Sequence, residues 1–247
     1  MISADLTVIV TAQTETVVAG PAMRSAEIAI GNAEAAGFVI ERVISLDKAS
    51  HLCREYFQQS AFAAWKKVEY DFADPYITRN ASVENSLGRW IAFLDADDLF
   101  SENWLVTSAK LLVELEGSGG NVIVHPEINW IFDGAIYVFA KLSQDDLLFY
   151  PEYFYLDNPY DMLCMAPRKA YLEIPYVKRD VNNGFGYGDW QWNIETMASS
   201  WRHVIAENTI IFKRRRDTSV FLESSLRKSV IHQIEPMAID RLKKLGR

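Results

Sequence analysis

The chain has 247 residues, near the upper end of what one hydrophobic core supports, so a single α/β domain with an appended segment fits it better than two independent domains. An apolar share of 49% and an aromatic share of 13% allow a large core and exclude global disorder. The net charge of −8 excludes the basic footprint of a nucleic-acid binder, and no apolar run approaches the ~18 residues of a membrane span.

Leu6 to Thr11 is an apolar, β-branched run of the kind buried on both faces of a parallel sheet. The Ala-rich segment after it, with Pro21 suited to a first turn and Gly37 to a C-terminal cap, predicts a helix. Val39 to Leu46 predicts a second strand ending at Asp47, and Ser50 to Ala64 a second helix. A short strand is expected at Val68 to Asp71, then a helix capped by Thr78 and running to Gly88. Trp90-Ile91-Ala92-Phe93-Leu94 is an unbroken apolar strand that stops at Asp95-Ala96-Asp97-Asp98. Ser101 is placed to cap a helix with Trp104, Leu105, Leu111, Leu112 and Leu115 on one face, ending before Gly117-Ser118-Gly119-Gly120.

Further strands are expected at Val122 to Val124 and Ala135 to Ala140. From about Phe149 to Tyr176 the aromatic, Pro-punctuated sequence has no clean period and reads as loop-rich cleft lining. The glycine loop Asn182 to Gly188 opens onto Asp189 and a helix through Ser199, and His203 to Phe212 predicts a final strand. The tail from Ser224 to Leu245 reads as mostly helical, with Leu226, Val230, Ile234 and Met237 spaced to bury a stripe. The β-α-β-α order predicts a doubly wound sheet. The N-terminus has no signal-peptide pattern, so a cytoplasmic location is expected, with Cys53 and Cys164 as reduced buried thiols.

The chemistry concentrates after the central strand. Alternate strand residues share a side, so Asp95 and Asp97 can converge on one hard cation at the carboxyl edge, where open α/β sheets bind ligands. A Mn²⁺ or Mg²⁺ ion there would bridge the carboxylates to a diphosphate and offset charge on a leaving nucleotide. The competing reading of Asp97 and Asp98 is a solvated turn.

The segment from Arg79-Asn80 through Gly88 to Leu94-Asp95-Ala96-Asp97-Asp98, continuing through Trp104-Leu105, resembles the signature of family 2 glycosyltransferases. The resemblance implies a GT-A fold, that is, a Rossmann-like doubly wound mixed sheet, here with a C-terminal helical extension. It also implies inverting, metal-dependent sugar transfer from a nucleotide donor. Gly186-Tyr187-Gly188-Asp189-Trp190-Gln191-Trp192 is similar to the family's acidic segment, whose Asp is the expected general base; Gly188 stands where the family often has Glu, leaving Asp189 as the matching carboxylate. The run Phe212 to Ser219 resembles the family's basic segment, with Arg214 as the implied diphosphate clamp; a solvated run or an anionic-membrane contact is the other use of Arg215 and Arg216.

The resemblance spans about Leu6 to Ser219. Its N-terminal half departs from the pattern at Thr11-Ala12-Gln13-Thr14 and Leu46-Asp47, although Asp47 matches the position implied to contact base or ribose, with Thr11 and Glu15 near it. The implied donor contacts are therefore Thr11, Glu15, Asp47, Arg79, Asn80, Asp95 and Arg214, with Asp95 and Asp97 as metal ligands and Asp189 as catalytic base. The domain is expected over residues 1–221, with a donor half to about 117 and an acceptor half from about 118, and a tail over 222–247. The implied partners are a nucleoside-diphosphate sugar and a glycan or lipid-linked glycan acceptor of bacterial surface polysaccharide synthesis. A catalytically silent nucleotide-sugar module and an Asp-nucleophile phosphatase are the alternatives. The four histidines are far apart in sequence and suggest no metal site; His125 is the one placed to line an acceptor cleft, and Trp190 and Trp192 could stack on a sugar or pack in the core.

Overall fold

The computed structural model describes residues 4–215 and 220–245, so Arg216 and the Asp217-Thr218-Ser219 end of the basic segment lie outside the described residues. In chain order the elements are β1 (Ala4–Ala12), α1 (Ala19–Ala35), β2 (Ile40–Asp47), α2 (His51–Phe57), β3 (Lys66–Tyr70), α3 (Pro75–Glu84), β4 (Gly88–Asp95), β5 (Leu99–Phe100) and α4 (Trp104–Gly117). They continue as β6 (Val122–Asp133), β7 (Tyr137–Ala140), β8 (Met165–Pro167), α5 (Arg168–Glu173), α6 (Gly188–Ala198), β9 (Arg202–Arg215), α7 (Val220–Leu226) and α8 (Ile239–Leu242).

The strands form one mixed sheet in the order β3-β2-β1-β4-β8-β6-β9-β5, with β7 beside β6. β1 to β4 are parallel, β8 runs against β4, and β6 and β9 are parallel to each other. The chain steps outward through β1, β2 and β3 and then returns to place β4 on the other side of β1. Right-handed crossovers therefore put α1 and α3 on opposite faces. The order reverses between β1 and β4, and their register, Thr11 opposite Asp95, brings both carboxyl ends level at that switch.

Alternation along β4 fixes which side chains meet which face. Trp90 donates its indole N–H to Glu116 of α4 at 3.1 Å, whereas Phe93 packs edge-on against Tyr171 of α5 at 5.6 Å and under the Arg79 guanidinium of α3. Asp95, two residues beyond Phe93, shares the α3 face. The two-sided burial of this strand is what its unbroken apolar run requires.

Several elements differ from the sequence-based boundaries. The second helix stops at Phe57 and resumes only as a 3₁₀ turn at Ser60–Phe62. α3 begins a turn before Thr78: Asp74 caps it, accepting from the backbone N–H of Tyr76 at 3.0 Å and Ile77 at 3.1 Å, and Pro75 takes the first helical position. Thr78 lies inside, its hydroxyl bonded back to the Asp74 carbonyl. α4 starts at Trp104 after Asn103, with Ser101 Oγ bonded to the Asn103 side chain. In the tail, helix is confined to α7, a 3₁₀ turn at Glu235–Met237 and α8; Leu226 and Val230 are exposed rather than part of a buried stripe. Ile234 and Met237 do pack, against a second small core built on Phe154, Tyr160, Ile194 and Leu242. Among the described residues no helix is long and apolar enough to cross a membrane.

Candidate active site at the carboxyl edge of the sheet

After β4 the chain turns at once, the Asp98 N–H donating to the Asp95 carbonyl at 2.9 Å. The turn is not solvated: Asp97 and Asp98 are both buried. Asp95 Oδ1 accepts from the Thr11 hydroxyl at 2.7 Å and pairs with the Arg79 guanidinium, whose side chain is almost entirely enclosed. Burial by itself pushes the Asp95 carboxyl up, but Arg79, then Lys213 and the Thr11 hydroxyl outweigh it and hold it below the usual range. Asp98 Oδ1 accepts the Arg214 backbone N–H at 2.8 Å and its Oδ2 lies 3.5 Å from Lys213 Nζ. There burial, joined by the charges of Asp95 and Asp97, prevails over Lys213 and lifts the carboxyl to about 7.

Asp189 is not a helix cap. α6 is entered through Tyr187 in the left-handed region at φ 56°, and no side chain caps it. The Asp189 carboxylate instead accepts from the Tyr76 hydroxyl at 3.0 Å and from the Asn158 amide at 3.2 Å. Its pKa is raised chiefly by burial, with the Tyr76 hydrogen bond acting against that. Tyr76 also accounts for Gly188. A Cβ at Gly188 would come within 3.1 Å of three atoms of the Tyr76 ring, a ring itself packed against Tyr176 at 5.7 Å. A larger residue there would displace the phenol that orients Asp189, so tyrosine fills the space a glutamate would need.

The remaining residues singled out by sequence divide into those at the site and those that shape it. Asp47 spends its carboxylate on the backbone N–H groups of Phe72, Ala73 and Asp74, at 2.8, 3.2 and 3.1 Å, and so anchors the approach to α3. Glu15 accepts from Gln13 N at 2.7 Å and Thr14 N at 3.0 Å, fixing the turn after β1. The Asn80 amide is bonded at both ends to the Tyr176 backbone, 2.8 and 3.0 Å, and ties α3 to the segment before the glycine loop. The Arg214 side chain turns to β6, 3.2 Å from Asp133 and over the Phe132 ring at 5.2 Å; what it gives the acidic turn is its backbone N–H. Trp192 is core, stacked on Tyr171 at 4.8 Å, and the half-buried Trp190 donates to the Phe154 carbonyl at 3.1 Å.

Sequence reading missed a second charged cluster. Asp161 accepts from Leu163 N at 2.7 Å and from the Asn129 amide, and lies 3.7 Å from Lys141 and 3.8 Å from Lys213. Lys141 is fully enclosed, bonded to Asn129 Oδ1 at 3.0 Å, and burial lowers it to about 8. These residues come from β6, the residue after β7, β9 and the aperiodic region, and no local pattern announces them. The histidines also require a correction: His125 and His203 meet, Nε2 to Nδ1 at 2.8 Å, because β6 and β9 are neighbours. Both are fully buried, with His125 stacked on Tyr160 at 4.2 Å, so His125 does not line a cleft. Burial lowers both pKa values, that of His203 to about 3.

Among the described residues no three His, Cys, Asp or Glu side chains form a group that could hold a metal ion by themselves. Mg²⁺ and Mn²⁺ sites in nucleotide enzymes commonly use one or two carboxylates, with substrate phosphates and water completing the shell. The chain fits that second kind. Both hydrogen-bonding partners of Asp95 lie on Oδ1, which leaves Oδ2 for a cation. A cavity of about 600 Å³ lined by Gly88, Arg89, Glu116, Pro167 and Trp201 opens at the opposite end of β4, away from this chemistry.

No protein-family model and no curated protein sequence matches the chain. Solved structures do. The S. aureus TarS structure in complex with UDP-GlcNAc is 13% identical with a TM-score of 0.64, over 90% of this chain and 60% of that one. GalNAc-T7 with UDP, GalNAc and Mn²⁺ is 14% identical with a TM-score of 0.61, over 86% and 44%. The mannosyltransferase PcManGT from Pyrobaculum calidifontis, with GDP-Man and Mn²⁺, is 12% identical with a TM-score of 0.57, over 89% and 61%. The chain thus spans less than two thirds of each of these structures, and the likeness assigns it the GT-A glycosyltransferase fold.

Proposed function

We propose that the chain is an inverting glycosyltransferase that moves a sugar from a nucleoside-diphosphate donor to a hydroxyl of a glycan or glycolipid acceptor. The observation that carries this reading is the arrangement on one face of α3: Tyr76 holds Asp189 and Arg79, three residues on, holds Asp95. One helical turn thus brings a carboxylate suited to take a proton beside carboxylates suited to a donor's cation. The fold shared with donor-bound glycosyltransferases supports it.

In this mechanism Asp189 accepts the proton of the acceptor hydroxyl as that oxygen attacks the anomeric carbon, and the bond from that carbon to the diphosphate oxygen breaks. Burial, by raising the Asp189 pKa, makes it a stronger base than a surface carboxylate. Tyr76 and Asn158 aim it. Asp95 Oδ2 and Asp97 would hold a divalent cation, which when bound offsets the charge of the departing diphosphate. Thr11 and Arg79 keep Asp95 ionised for that purpose. The low sequence identity leaves the acceptor a matter of the family 2 resemblance, which points to bacterial surface polysaccharide.

Incubation with UDP-, GDP- and dTDP-sugars in Mn²⁺, with and without oligosaccharide acceptors, tests the reading by nucleoside diphosphate release. Release from one nucleotide class is expected. Binding of none of these nucleotides, in calorimetry with Mn²⁺, sinks it.

A further inference from the structure

We propose that Lys213 is a diphosphate-binding residue of the donor site and supplies a share of donor affinity that needs no metal ion. The inference rests on the nucleotide-sugar reading above and extends it to a residue that the sequence motifs passed over in favour of its neighbour.

Strand geometry separates the two basic residues. Side chains alternate along β9, so Lys213 and Arg214 leave it on opposite sides. Arg214 goes to Asp133 and Phe132, whereas Lys213 reaches the acidic turn. The basic side chain on the face of the carboxylates is the lysine.

The neighbouring cations have their donors engaged. Arg79 spends its guanidinium on Asp95 and the Pro75 carbonyl, Lys141 donates to Asn129, and Arg214 pairs with Asp133. Lys213 lies 3.5 Å from Asp98 and 3.8 Å from Asp161, beyond the ~2.7–2.9 Å of a charge-assisted hydrogen bond, and among the described residues it donates none. Its side chain is 23% exposed. An ammonium held in place by charge, with three N–H donors unspent and access to solvent, is arranged for oxygen atoms that arrive from outside.

Arg79 pairs with Asp95, Lys141 with Asp161, and Lys213 lies against both Asp98 and Asp161, so part of the cluster's negative charge is offset before any cation binds. Burial works against the Lys213 charge, but Asp161, Asp98, Asp95 and Asp189, in that order, outweigh it and raise its pKa, so it stays ionised. The ammonium thus stands in the field of both the acidic turn and the proposed base.

The test is calorimetric titration of the whole chain with UDP, GDP and inorganic pyrophosphate, in excess chelator and in Mn²⁺. Wild type is expected to bind the preferred nucleotide in chelator; Lys213→Met is expected to weaken that binding ~10- to 100-fold, and Lys213→Arg to keep it within ~3-fold. The double variant Lys213→Met/Asp98→Asn keeps the charge balance and serves where the single variant does not fold. A measurement on wild type needs no variant: saturating nucleotide should slow acylation of Lys213, read by mass spectrometry, relative to the exposed Lys169. Wild-type binding confined to Mn²⁺, a methionine variant indistinguishable from wild type, or an unprotected Lys213 each overturns the proposal. Absence of nucleotide binding to wild type under every condition would instead remove the donor-site reading beneath it.

Discussion

Replacing Asp189 by Asn separates chemistry from shape at the centre of the site. The carboxylate accepts two hydrogen bonds, from Tyr76 at 3.0 Å and Asn158 at 3.2 Å. An amide can keep both: its oxygen accepts from Asn158, and its nitrogen donates to the Tyr76 oxygen once that hydroxyl proton rotates away. Turning two charge-assisted contacts into neutral ones costs roughly 1–2 kcal/mol. Burial acts the other way. A carboxyl whose pKa is raised in the folded state opposes folding at pH 7, where the unfolded chain holds it ionised, and the amide has no charge to desolvate. The second effect opposes the first, so the net loss should stay below about 2 kcal/mol, or about 4–8 °C in Tm for a chain of this size. Loss of proton acceptance should nevertheless lower kcat by roughly 10²–10⁴. The assays are nucleoside diphosphate release at saturating donor, thermal melting, and calorimetry for donor affinity. Wild-type turnover in Asp189→Asn would refute the assignment of the base, and a Tm drop well beyond about 8 °C would refute the claim that both hydrogen bonds survive.

Tyr76→Phe keeps the ring but removes the hydrogen bond that lowers the Asp189 pKa, so that pKa should rise; because the ionised form is the active one, the acid limb of kcat/KM against pH should move to higher pH, and an unmoved limb would exclude coupling between the two residues. Asp97→Asn should weaken nucleoside diphosphate binding ~10- to 100-fold in Mn²⁺ yet leave binding in chelator unchanged, as expected for a lost metal ligand; equal loss in both conditions would remove Asp97 from the metal site. His125→Phe should cost about 1–2 kcal/mol at pH 7 by leaving His203 Nδ1 without its partner, while Nε2 keeps Thr196. Both imidazoles are held neutral by burial, so their contribution is present above the unfolded value of ~6.5 and is lost as pH falls below it. The gap in Tm between the variant and wild type should therefore narrow from pH 7 to pH 4.5; a constant gap would mean that the pair does not titrate with unfolding.

The donor half of the fold is written locally. The β4 run is apolar because both faces are covered, the acidic residues follow it because the sheet ends there, and Asp189 follows glycines because the chain must enter α6 past Tyr76. The partners that give these residues their character are not local. Tyr76 joins the site because Asp74-Pro75, rather than Thr78, starts α3, a shift that brings its hydroxyl onto the face of Arg79. Asn158 and Asp161 come from a stretch without period, where position is set by tertiary hydrogen bonds. In the basic segment the face is a matter of one residue in a strand, since a one-residue step reverses it and separates Lys213 from Arg214. The histidines could be paired only with knowledge that β6 and β9 are neighbours, which sheet order decides and sequence spacing does not.

The hydrogen bond from the Arg214 backbone to Asp98 joins residues 116 apart, and β5 is completed by pairing Leu99 and Phe100 with the far end of β9. A nascent chain that has assembled β1 to α4 therefore carries its acidic turn without the strand that anchors it. The donor end exists only after a loop of more than a hundred residues has closed, a step whose entropic cost grows slowly with length but whose rate falls as contacts become less local. A fragment ending before β9 would therefore hold the sequence signature without the strand that finishes the site.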